Sequence, residues 1–176
     1  MIRRMAKDPG SDAEQNAQKG LEAKGGAQLA RDLLRSERTA VLATASASRG
    51  GHPFASLVPF ALSREGEPLL LLSALAQHTR NLTADPRACL LVHDAAAAAK
   101  DPRTAARAAI LGRVRGVATA DEADARARYL ARHPDARGLL ALDFSLYVLA
   151  VEEAQIVGGF AAAGWVPGAE LREPSP

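Results

Sequence analysis

Short stretches of apolar residues, separated by turn signals, dominate the chain between residues 39 and 157 and describe strands. Thr39 to Ala45 reads as the first, and Ser46 to Gly51 supplies the Ser/Gly chemistry of a hairpin loop. Its partner runs from His52 to Leu62. A turn, Ser63-Arg64-Glu65-Gly66-Glu67, then leads to Pro68-Leu69-Leu70-Leu71-Leu72, a wholly apolar run short enough to favour a buried strand over a helix. These three strands follow in meander order. Arg87 to His93, Ala105 to Ala118 and Phe144 to Val151 return as strands, the last continued by Gln155-Ile156-Val157. Gly112 and Gly116 allow a bend or bulge in the fifth strand.

Helical periodicity is confined to three places. Leu29, Ala30, Leu33 and Leu34 form one stripe of a helix starting at Ala27 and ending near Arg38. Leu75 to Ala84 forms a short helix that Asp85-Pro86 terminates, because a proline disfavours helical backbone at the preceding residue. Asp121-Glu122 opens a third helix with acidic groups at the positive end of its dipole, running to Arg132 before His133-Pro134. Asp94 to Thr104 reads as a loop or frayed turn, and Leu139 to Leu142 fits either state. About six strands with short helices and no regular βαβ alternation predict a mainly β protein, an antiparallel barrel with peripheral helices.

Residues 1 to 26 show no apolar period and cannot repay the entropy of ordering by burial. They read as a tail, with one domain over 27–166 and a second tail over 167–176. Hydrophobic types make up 48% of the 176 residues, but 39 of them are alanines, so large apolar side chains suffice for one core and no more. A formal net charge of +2 with scattered basic residues, and only 4% aromatics, argues against nucleic acid as a partner. No apolar stretch reaches the roughly 18 to 20 residues of a membrane span. The start of the chain lacks the apolar run of a secretory segment, and the single Cys89 rules out an intrachain disulfide, so the expected location is the cytoplasm.

Candidate chemistry gathers where the third strand feeds the second helix, at Ser73, His78, Thr79 and Arg80. Free backbone N–H groups at a helix start, a planar guanidinium, two hydroxyls and an imidazole suit an anion, a phosphate in particular. The alternative assigns Ser73 to a helix cap and leaves Arg80 and His78 as solvated surface groups. No metal-ligand spacing appears, since His52, His78, His93 and His133 form no i, i+4 pair and no cysteine set accompanies them. Cys89 alternates within an apolar strand and reads as a small hydrophobe, and His93-Asp94 as a polar strand end.

The strings His52-Pro53-Phe54-Ala55-Ser56-Leu57-Val58-Pro59, Leu70-Leu71-Leu72-Ser73, His78-Thr79-Arg80-Asn81-Leu82 and Ala84-Asp85-Pro86-Arg87 resemble the pyridoxamine 5'-phosphate oxidase-like family. Further matches are Leu111-Gly112-Arg113, the run from Arg128 to Ala136, Asp143 to Tyr147 and Val157 to Phe160. The resemblance covers about residues 27 to 166 and is strongest to the haem-utilisation branch. It implies a homodimeric, six-stranded split β-barrel that binds FMN at the subunit interface. Carried over residue by residue, the FMN phosphate falls on Ser73, His78, Thr79 and Arg80, and the isoalloxazine lies along Ala55, Ser56, Leu57, Val58 and Pro59. Arg113, Phe160 and Trp165 are then the residues with which a second subunit covers the ring.

Two departures from that family pattern bear on function. The chain has no histidine after His133, so it lacks the Arg-x-His substrate clamp of true pyridoxamine phosphate oxidases. It equally lacks the C-terminal axial histidine of haem-degrading relatives, since the matching stretch is Gly158 to Trp165. The main expectation is an FMN-dependent oxidoreductase acting on a small molecule, in which the flavin supplies the chemistry and no catalytic residue is named. The alternatives are a haem-binding or haem-utilisation protein using the same dimeric barrel, and a non-catalytic flavin-binding protein.

Overall fold

The computed structural model describes residues 25–159 and 163–172. Seven strands form one antiparallel sheet: β1 (Thr39–Ala45), β2 (Pro53–Leu62), β3 (Pro68–Ser73), β4 (Arg87–His93), β5 (Arg107–Gly116), β6 (Phe144–Val157) and β7 (Ala163–Pro167). Their order is β3-β2-β1-β4-β5-β6-β7, and a further pairing of β3 with β6 closes the first six into a barrel. Closure is possible because β6 is 14 residues long: Phe144–Val148 pairs with β3, while Glu153–Val157 pairs with β7. The predicted mainly β, six-stranded antiparallel barrel is therefore present, with β7 as an addition. Its sequence, Ala-Gly-Trp-Val-Pro, is too short and too rich in small residues to announce a strand.

Inward positions obey the period of two. Ala40 and Leu42 of β1, Val58 and Phe60 of β2, Leu90 and Val92 of β4, and Ala108 and Ile110 of β5 are all buried in one core. The apolar run of β3 has a different cause. Leu70 and Leu72 face the barrel interior, whereas Leu69 and Leu71 join a second core with Tyr129, Ala125, Leu146 and Val148, so this strand is covered on both sides.

Helix α1 (Gly26–Ser36) buries Ala30, Leu33 and Leu34 against the main core, as its stripe predicts. Helix α2 (Gln77–Ala84) follows β3, the single turn α3 (Ala95–Ala98) follows β4, and α4 (Glu122–Arg132) runs into a 3-10 helix over Pro134–Ala141. The ambiguous Leu139–Leu142 stretch thus belongs mainly to that 3-10 helix. The second tail is corrected: α5 (Gly168–Leu171) packs back on β6, and Val166 and Leu171 are buried in the main core. Gly168 permits this approach, because a Cβ there would lie 2.3 Å from the Val151 carbonyl oxygen. Residues 1–24 of the expected first tail lie outside the described residues.

The bend expected in β5 is a register shift between Leu111 and Gly112 opposite β6. A Cβ at Gly112 would lie 2.2 Å from the Ala150 carbonyl oxygen, so only glycine lets the strands approach there. Beside the irregularity, the Val151 amide donates to the buried Glu67 carboxylate at 3.3 Å. Gly116 lies at the end of β5 in open space and makes no bulge.

Candidate functional site

Helix α2 is fixed to the β1–β2 hairpin by one buried amide. Asn81, with no exposed surface, donates through Nδ2 to Thr44 Oγ1 at 3.0 Å. Its Oδ1 accepts from the Ala47 amide at 3.0 Å and from Gln77 Nε2 at 2.8 Å. Every polar atom of Asn81 is thereby satisfied, which a fully buried amide requires. The start of α2 is consequently held beside the end of β3. Ala76 supplies no side-chain cap to the first-turn amides.

Opposite this helix, a cleft of about 490 Å³ lies between β2 and β3 on one side and α4 with the 3-10 helix on the other. Its lining is mostly apolar: Leu57, Val58, Pro59, Leu71, Leu72, Ala136, Leu139 and Phe144, with Arg38, Ser73, His78, Tyr129, His133 and Asp135 as the polar members. That size and composition fit a small-molecule site. Among the described residues the exposed large apolar side chains are Leu57, Leu75, Leu139, Leu142 and Trp165, and the first and third of these lie on the cleft itself.

Two imidazoles line the cleft in opposite states. His133 Nε2 lies 2.8 Å from the Phe60 carbonyl oxygen, which can only accept, so that nitrogen carries the proton and donates. Its ring packs tilted against Tyr129 with centroids 5.1 Å apart. Tyr129 is buried, its hydroxyl lies 3.5 Å from the Pro59 carbonyl, and burial pushes its pKa up to about 12. His78 instead places Nδ1 3.2 Å from Ser56 Oγ, while its Nε2 is buried with no hydrogen-bond partner. Desolvation lowers the His78 pKa and favours the neutral ring.

Two arginines lock the far wall. Arg38 donates to the Arg132 carbonyl, and Arg132 donates to the carbonyls of Leu34 at 3.2 Å, Arg35 at 3.0 Å and Glu37. The Arg132 guanidinium also lies 5.4 Å above the Phe60 ring. The end of α1 and the end of α4 are thus clasped together, and His133 follows directly.

Of the nine predicted site residues, Leu57, Val58, Pro59, Ser73 and His78 line the cleft. Ala55 is exposed, and Ser56 reaches the site through its bond to His78. The phosphate cradle predicted at the helix start is not assembled from its hydroxyls. Thr79 is buried and donates to the Ser73 carbonyl at 2.7 Å, and Ser73 donates to the Asp143 carboxylate. Each hydroxyl has one proton, so neither is left to donate to an anion. Asp143, held below the usual carboxylate range by Ser73 and nearby amides, adds a negative charge there. Arg80 is exposed.

The residues expected to cover the ring from a second subunit lie, on this chain, away from its own cleft. Arg113 pairs with Glu152 at 3.2 Å on the β5–β6 surface, Trp165 lies on β7, and Phe160 falls outside the described residues. Asp94 caps the α3 turn through the Ala97 amide at 2.8 Å, which agrees with a polar strand end. Burial raises the Cys89 thiol pKa, in keeping with a packed side chain rather than a nucleophile. Sequence reasoning left Arg38, Tyr129, His133, Asp135, Leu139 and Phe144 out of the site. The string Arg128 to Ala136 carries a family resemblance and His133-Pro134 a helix stop; nothing local in it announces a cleft wall.

A closed antiparallel barrel with a helix after β3, and a cleft between β2–β3 and the segment of α4 and the 3-10 helix, has the form of the split-barrel class of the pyridoxamine 5'-phosphate oxidase-like proteins. Solved members of that class, 15% and 18% identical with TM-scores of 0.61 and 0.56, share the fold. Within it, residues 21–173 match the family model described as CREG, beta-barrel, and the chain belongs to that family. Among curated proteins it is similar to the non-canonical heme oxygenase HOZ, chloroplastic, of Arabidopsis thaliana, 36% identical over 135 residues that make up 76% of this chain and 40% of that protein. Among solved structures, a heme binding protein from Mycobacterium smegmatis is 33% identical with a TM-score of 0.77, covering 83% of this chain and 59% of that one. The heme storage protein HutZ from Vibrio cholerae is 27% identical with a TM-score of 0.60, covering 69% of this chain and 87% of that one. The chain spans less than two thirds of the first two relatives.

Proposed function

We propose that this chain is a haem-binding protein whose ligand occupies the cleft between β3 and α4. The observation that carries the reading is an apolar cleft lined by two imidazoles, in a chain one third identical to a heme binding protein over most of its length. Val58, Leu71, Leu139 and Phe144 supply apolar surface for a flat macrocycle, and Arg38 a cation suited to a carboxylate side arm. Bound haem supplies iron redox and oxygen chemistry; the protein supplies the binding, orientation and exclusion of water.

Flavin is the second reading, and the start of α2, uncapped by any side chain and beside the exposed Arg80, favours it. Against it stand the committed hydroxyls of Ser73 and Thr79 and the neighbouring Asp143 carboxylate, which repels a dianionic phosphate. Titration of the full chain with hemin and with FMN separates the two. The haem reading requires a saturable Soret change that FMN does not suppress. A free-hemin spectrum throughout, together with tight quenching of FMN fluorescence, overturns it.

A second copy of the chain belongs to the same reading. Aligned outward positions of β2, β1, β4 and β5 form one row, Leu57, Val41, Leu91 and Ala109, and a parallel row, Ala55, Ala43, Cys89 and Leu111. None carries a charge, although strand faces toward water are normally polar. Leu57 is shared by this face and the cleft, so a copy seated there also shields the ligand. Light scattering is expected to give a dimer for the wild type and a monomer for Leu91→Arg; a monomeric wild type at tens of micromolar removes the partner from the reading. Among the described residues, no helix is long and apolar enough to cross a membrane.

A further inference from the structure

We infer that His78 is the side chain that ligates haem iron in this protein, through Nε2, with Ser56 holding the imidazole from its other nitrogen. The inference rests on the haem reading above and adds the coordinating atom. The histidines of these 176 residues are His52, His78, His93 and His133. His52 is exposed beside the hairpin loop and His93 ends β4, and neither lines the cleft.

The choice lies between His133 and His78, and their hydrogen bonds decide it. His133 has spent Nε2 on the Phe60 carbonyl at 2.8 Å. Only Nδ1 remains to it, the nitrogen next to its own Cβ and therefore the more hindered. His78 shows the reverse arrangement, Nδ1 bonded to Ser56 Oγ at 3.2 Å and Nε2 buried without a partner. Buried polar atoms are nearly always paired, and an unpaired one on a cleft residue calls for a ligand. A metal-bound imidazole characteristically donates its second N–H to an oxygen, which fixes the tautomer and leaves the lone pair for the metal. Ser56 Oγ can accept from Nδ1–H, and in that arrangement Nε2 carries the lone pair. Burial also disfavours protonation of this ring, so the coordinating form is the one present near neutral pH.

A dedicated metal cluster is not implied. Among the described residues no group of three or more ligating side chains exists, and haem iron, already held by four porphyrin nitrogens, needs one protein ligand. The expected absence of a zinc-like site and this assignment are therefore compatible.

The test is resonance Raman and absorbance spectroscopy of the full chain loaded with hemin and then reduced. The wild type is expected to show an iron–histidine stretch that is lost in His78→Gln, restored by added imidazole in His78→Gly, and kept in His133→Gln. Ser56→Ala is expected to move the stretch to lower frequency with hemin affinity within about threefold, because removing a hydrogen-bond partner weakens imidazole as a donor. Circular dichroism checks that each variant is folded, and His78→Cys, which swaps the ligand for a thiolate, gives an independent shift of the Soret band. An iron–histidine stretch that survives in His78→Gln, or disappears in His133→Gln, overturns the assignment while the haem reading stands. Absence of saturable hemin binding by the wild type overturns the haem reading and the assignment with it.

Discussion

The two walls of the cleft are held in place by different physics. The wall carrying α2 is polar and local in sequence: Ser73, His78, Thr79 and Asn81 lie within nine positions, and hydrogen bonds to β1, β2 and Asp143 fix them. The wall carrying α4 and the 3-10 helix is held by apolar packing around Tyr129 and by the arginine clasp to α1, between residues more than ninety positions apart. Hydrogen bonds fix orientation to a few tenths of an ångström, whereas packing fixes shape and volume. The arrangement assigns alignment of a ligand to the first wall and its enclosure to the second.

The largest effect is expected on the apolar wall. Tyr129→Ala should cost about 3–5 kcal/mol in urea unfolding, the usual loss for deleting a buried aromatic ring, and abolish hemin binding. Tyr129→Phe should cost under ~1 kcal/mol, because the hydroxyl's contact with Pro59 is long at 3.5 Å. If the two variants are equally unstable, the wall is held by that hydroxyl and not by packing.

The polar wall is next. Asn81→Ala leaves the Ala47 amide and the Thr44 hydroxyl without their partner and should cost roughly 3 kcal/mol. Hydrogen exchange should then report loosening of α2 before β1 and β4. A uniform loss of protection across the barrel would erase the distinction between the walls. Arg132→Met keeps the aliphatic bulk over Phe60 and removes the bonds to the α1 carbonyls; about 1–2 kcal/mol is expected, read as a fall in thermal midpoint.

The smallest effect is a pH dependence confined to the polar wall. Burial sets the folded pKa of His78 below its ordinary value of 6.5, so between those two values the unfolded chain binds more protons. Its contribution to stability is complete above 6.5 and is lost as pH falls toward the folded pKa. His78→Gln should flatten the thermal-midpoint profile in that window, and an unchanged profile would mean the ring is not desolvated.

Legibility in the sequence follows the same division. Strands β1 to β6 and helices α1, α2 and α4 are readable to within one or two residues, because alternation and helical stripes record which side each residue turns toward a core. Gly112 signalled the β5 irregularity. The site at α2 was readable as a cluster, but not as chemistry: whether Ser73 and Thr79 face a ligand or one another depends on Asp143, seventy positions away. β7 and α5 were missed because small residues such as Gly164 and Gly168 gain order from the surface they dock on, not from their own propensity.

By itself, then, the order of residues determined the six barrel strands, the closed-barrel class and the neighbourhood of Ser73 to Arg80, since local periodicity and turn chemistry act over a few positions. Only the folded chain decided that Leu69 and Leu71 face a second core, that Tyr129 and His133 complete the cleft, and that His78 alone of its two imidazoles keeps a free Nε2. Those outcomes depend on which distant groups meet, and a proton or lone pair is assigned by its nearest neighbour in space, whatever its place along the chain.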